Sequence, residues 1–102
     1  MDSFTSLRFS AVAKALGDEA RRRGLTPPAF RSPPRIDGVV RTIRRADESA
    51  VIAVRLRGRP ADEVAADMVE GVVVANRLSG AEAVRCRTEL REAVAPLVTH
   101  AA

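Results

Sequence analysis

Tryptophan and tyrosine are absent from this 102-residue chain, and cysteine, histidine and lysine occur once each, as Cys86, His100 and Lys14. Each scarcity removes a chemistry. A single cysteine excludes an internal disulfide and fits a reducing compartment. One Cys and one His cannot furnish a zinc site, and a Ser-His-Asp or Cys-His nucleophile would have to recruit His100 from the extreme end of the chain. The glycines, at 17, 24, 38, 58, 71 and 80, never fall at G-x-G-x-x-G spacing, and no Walker lysine accompanies them, so a nucleotide cradle has no support. With Phe as the only aromatic and none of it in the strand-like stretches, bases of single-stranded RNA have no platform to stack on. No apolar run approaches the ~20 residues needed to span a bilayer. Asp2, with no basic region ahead of an apolar core, argues against a secretory signal. The adjacent carboxylates Asp62/Glu63 and Asp47/Glu48 fall in a helix start and a turn and need no acid/base role. These absences lead to the expectation of a cytoplasmic, non-enzymatic protein with no catalytic residue, metal or cofactor.

Charge is what the chain has in quantity. All but one of its 17 basic residues are Arg. That bias, beside abundant Ala and Val, is the imprint of GC-rich coding, so the pI of about 10.9 is by itself no sign of a nucleic-acid partner. Distribution says more. Residues 1–59 hold 13 Lys/Arg against 6 Asp/Glu, a net of +7, while residues 60–102 hold 4 against 7, a net of −3. A basic front and an acidic back suit a polyanion footprint, or two halves that attract each other within or between chains.

The basic front centres on residues 37–60, DGVVRTIRRADESAVIAVRLRGRP. β-Branched runs on either side of an Asp/Glu/Ser cluster are the signature of strand, turn and strand. Ile52, Val54 and Leu56 alternate onto one face, which must be the buried one. Loop length then decides what lies beside them, because a one-residue slip inverts the partner strand. A four-residue loop pairs Arg45 with Ala50 and sets Val39, Arg41 and Ile43 next to the apolar triplet; an odd loop offers Val40 and Thr42 instead. The first option is favoured because it buries Val39 and Ile43, with Arg41 and Arg45 extending at the margins. Arg44, Arg55 and Arg57 are then the outer face.

Helices are expected around this hairpin. Phe9, Val12, Leu16 and Ala20 recur at helical spacing within residues 3–23, and Arg21, Arg22 and Arg23 followed by Gly24 read as a helix C-terminus, with Leu25 closing against Ala20. Residues 25–36, with two Pro-Pro pairs, read as an extended connector pinned by Phe30. Pro60, Asp62 and Glu63 open a helix over 60–78; a short third strand at 72–76 is the alternative. Ser79 and Glu82 form a capping-box pattern for a helix over 80–97, with Cys86 on its apolar stripe and Arg85 and Glu89 spaced to pair. A frayed tail, 98–102, follows. The expected fold is a single α+β domain in the order α-β-β-α-α.

Two functions follow as expectations. The first is nucleic-acid binding, DNA rather than RNA, by the Arg-rich hairpin: a two-stranded ribbon fits the major groove, and Arg forks onto guanine edges or phosphates. Arg44, Arg55 and Arg57 would make the contacts, helped by Arg35, Arg41, Arg45 and Arg59. The second is a protein-interaction or homodimerisation module, with hairpin edges pairing across a two-fold or the basic face meeting an acidic protein surface. Neither involves a membrane.

Overall fold

A computed structural model describes residues 6–98, with side chains from Arg8 onward. The expectations placed on residues 3–5 of the first helix, on Asp2 and on the tail with His100 lie outside the described residues. The element order is α1 (Ser6–Arg22), β1 (Ala29–Arg31), β2 (Val40–Arg44), β3 (Ala50–Val54), α2 (Ala61–Ala75) and α3 (Gly80–Val98). The class is α+β, as the residue pattern indicates, but the sheet has three strands in the order β1-β3-β2. The added strand is not at 72–76, which α2 crosses as helix through Ala75. It lies in the connector, where Ala29, Phe30 and Arg31 between the two Pro-Pro pairs run parallel to β3. Proline denies helix but not extended pairing, and an edge strand tolerates neighbours that lack an N–H.

The helices lie against one face of the sheet. Phe9, Val12, Leu16 and Ala20 of α1 meet Val64, Ala65, Met68, Val69, Val72 and Val73 of α2, and Ala83, Cys86, Leu90 and Val94 of α3. Only Ile52 and Val54 of β3 join this core, with Phe30 packed beside them. Leu16, Ile52, Met68 and Leu90 are fully enclosed, each worth about 1.5–3 kcal/mol of burial. α1 stops as its sequence implies: Gly24 takes φ 74°, and the Leu25 N–H bonds the Ala20 carbonyl at 2.8 Å. α2 ends in the same motif, with Leu78 N–H on Val73 O at 3.1 Å, but Arg77 holds the left-handed position at φ 54°. The capping box of α3 does not close. Gly80 turns at φ 60°, and Ser79 contributes only its backbone carbonyl, to Ala83 N–H. Glu89 pairs not with Arg85 but with Arg23, in the turn just past α1, at 2.9 Å.

The hairpin register also departs from the favoured one. Arg44, not Arg45, faces Ala50, and Thr42 faces Ile52. The turn sets this. The Arg45 N–H bonds Ser49 O and the Glu48 N–H bonds Arg45 O, Glu48 sits at φ 69°, and Asp47 Oδ1 accepts from the Ser49 N–H at 3.0 Å and its hydroxyl at 2.6 Å. This is a three-residue hairpin loop with a left-handed third position. Val40, Thr42 and Arg44 therefore face the helical side, and Val39, Arg41 and Ile43 the other. The apolar neighbour of Ile52 within the sheet is Phe30, on β1, rather than Ile43.

Candidate nucleic-acid interface

Among the described residues, the helices pack on the Ile52 and Val54 side of the sheet and none is placed on the second face. Because side chains alternate, register assigns its occupants. Ala29, Val51 and Ile43 form one row across the three strands, and Arg31, Ala53 and Arg41 the next. Arg55, whose N–H bonds Val39 O at 2.9 Å, extends the ladder by a third. Strands stand about 4.8 Å apart, so Arg31 and Arg41 flank Ala53 with backbones about 10 Å from each other, and Arg55 lies about 7 Å further along. Val51 and Ala53 are buried without joining the core. By register, the face carries Val51 and Ala53 at its centre with the exposed Arg31, Arg41 and Arg55 at the positions around Ala53.

Pairing separates these arginines from those that brace the helices. Arg21 pairs with Asp18, Arg22 with Glu19, Arg23 with Glu19 and Glu89, and Arg87 with Glu70. The carboxyls of Asp18, Glu19 and Glu70 are held below their ordinary range, chiefly by the hydrogen bonds that Lys14, Arg23 and Arg87 respectively donate. Arg31, Arg41 and Arg55 make no side-chain hydrogen bond or ion pair among the described residues, and nor do Arg35 and Arg57. A guanidinium held without a carboxylate keeps its full charge and five donors for a ligand.

The seven arginines singled out in the sequence are divided by the structure. Arg41 and Arg55 come together on the open face. Arg57 is exposed in the turn after β3, Arg35 in the loop between β1 and β2, and Arg45 beside the hairpin turn, where Asp47 lies in its field. Arg44 and Arg59 are corrections. The register turns Arg44 inward, and its guanidinium donates to Ala75 O at 3.4 Å, Val74 O at 3.5 Å and Glu48 O at 3.1 Å, where it neutralises the negative end of α2. Arg59 is buried against Asp67 at 2.5 Å and donates to Arg55 O at 3.1 Å. Both stabilise the fold and are withdrawn from the face. Arg31 was missed. Its outward direction follows only once β1 is seen to pair with β3: Phe30 lies beside Ile52 on the core side, and alternation sends Arg31 to the other.

A notch of about 270 Å³ beside the end of α2, lined by Thr26, Arg44, Asn76 and Arg77 among others, has its amide and guanidinium groups engaged in the fold. Asn76 accepts from the Thr26 N–H and donates to Thr26 O, both at 2.8 Å, and Arg77 pairs with Glu48 at 3.1 Å. Among the described residues no helix is long and apolar enough to cross a membrane. Comparison with protein-family models, curated proteins and solved structures finds no match for this chain.

Proposed function

We propose that the open sheet face binds nucleic acid, DNA in preference to RNA, through phosphate contacts from Arg31, Arg41 and Arg55, with Arg35, Arg45 and Arg57 at its margins. The observation that carries this reading is the gathering of unpaired guanidinium groups: Arg21, Arg22, Arg23 and Arg87 are each held by a carboxylate, while these three share one face without any. Affinity of this kind comes from neutralising phosphates and carries little sequence information. Phe9 and Phe30 lie on the core side, so among the described residues the face offers no aromatic surface for stacked bases, which favours a duplex over a single strand. The lone cysteine, Cys86, is free and buried, which is compatible with a reducing compartment, and the reading takes the cytoplasm.

The test is fluorescence anisotropy on a short labelled duplex. Changing Arg31, Arg41 and Arg55 together to Ser should weaken binding on the order of a thousandfold or more, since charge-assisted contacts are worth about 1.5–3 kcal/mol each. Changing Arg21, Arg22 and Arg77 to Ser removes the same charge from paired positions and should leave affinity nearly unchanged. Equal losses in the two triple variants, or no binding by the parent protein, would refute the reading. The alternative, an interaction or homodimerisation module, draws on a separate observation at the β2 edge.

A further inference from the structure

β2 is an edge strand that the helical layer does not cover. Val39, Val40 and Ile43 are 38%, 41% and 45% exposed, although Val40 points to the helical side and the other two to the open face. Its backbone is equally unfinished. The bonds Arg45 N–H to Ser49 O and Arg55 N–H to Val39 O mark odd-numbered residues as those bonded to β3. The N–H and C=O of Val40, Thr42 and Arg44 therefore point away from the sheet, and no other backbone bond among the described residues takes them. A five-residue edge with exposed Val40 and Ile43 and outward-pointing N–H and C=O groups is a template for another strand.

We propose that the occupant is β2 of a second copy, paired antiparallel about a two-fold axis at Thr42 to give a continuous six-stranded sheet. Self-complementarity selects this register. With Thr42 opposite its own copy, Val40 faces Arg44, Arg41 faces Ile43, and Val39 faces Arg45. Each exposed apolar side chain thus lies along the aliphatic stem of an arginine. Sliding by two residues in one direction sets Arg41 against Arg41, and in the other Arg41 against Arg45, and directly opposed like charges destabilise a sheet. Such a dimer joins the two open faces into one surface, so that the two sets of Arg31, Arg41 and Arg55 lie side by side. The pairing does not depend on what that surface binds.

The full chain should sediment at twice its 11.0 kDa in analytical ultracentrifugation without nucleic acid. Thr42→Pro removes an outward N–H that the monomer does not use, a substitution that edge strands accommodate; it should give a folded single chain, judged by circular dichroism. Should that variant fail to fold, oxidative cross-linking decides. In a Cys86→Ala background, Thr42→Cys places the two thiols on backbones about 5.5 Å apart, within disulfide reach, and should give a covalent dimer. Val40→Cys, whose copies sit about 13 Å apart along the strand, should not. A monomeric parent, a Thr42→Pro variant that is folded and still dimeric, or cross-linking at 40 and not at 42 would overturn the proposal.

Discussion

A methyl group added at Gly71 would stand 2.9 Å from both γ carbons of Ile52, a contact too close to keep without moving α2 or β3. Glycine in a helix normally costs about 1 kcal/mol relative to alanine, so its place in the middle of α2 is explained by this approach rather than by propensity. Gly17 in α1 is the opposite case: the nearest atoms to an added Cβ are 3.5 Å away, at the flexible end of Arg21. Gly71→Ala should therefore destabilise by about 1–3 kcal/mol through overpacking, whereas Gly17→Ala should stabilise by about 0.5–1 kcal/mol. Urea titrations of the two variants check this, and a shift of the same sign in both would contradict the packing argument. From sequence alone the two glycines look alike, because the difference lies in a strand remote from both.

At the scale of elements, helices were legible because periodicity and stop signals are local. The α1 end at Gly24 and the continuation of α2 through Val72–Ala75 could be read from neighbouring residues. The sheet was less so. Its register hung on whether Asp47 would capture Ser49, a choice between three- and four-residue loops that burial preference alone judged the wrong way. β1 escaped notice because three residues between proline pairs carry no periodic signal, and their partner strand is remote. The ion pairs that join helices make a further expectation. Glu70 of α2 takes two bonds from Arg87 of α3, at 2.7 and 3.0 Å, which lower its pKa from the ordinary 4.5. A carboxyl with a depressed folded-state pKa contributes stability in full above its ordinary value and loses it as pH falls through the depressed one. Thermal stability should thus be level from neutrality to about pH 5 and decline below. Glu70→Gln should be less stable than the parent at pH 7, and the two should converge in acid. A constant gap between them down to about pH 2 would show that the pair contributes nothing through its charge.

Over the whole molecule, the arginines divide by what their guanidinium groups touch. Arg21, Arg22, Arg23 and Arg87 find carboxylates on their own or neighbouring helices. Arg44 and Arg59 brace the fold, and Arg31, Arg41 and Arg55 collect on the side of the sheet opposite the described helices. Sequence reading located the basic region and two members of its centre, Arg41 and Arg55. It assigned Arg44 to the wrong face because one residue of register inverts a strand, and it missed Arg31 with β1. A surface of this kind should act through counterion release, and its signature is the dependence of affinity on salt. The most direct test is the slope of log K against log salt concentration on duplex DNA, for the parent and for the Arg31/Arg41/Arg55→Ser variant. The expected result is a slope shallower in the variant by about 0.9 for each phosphate no longer neutralised, or about 2.7 per chain. Parallel lines of equal slope would contradict the assignment of these three residues to the phosphates.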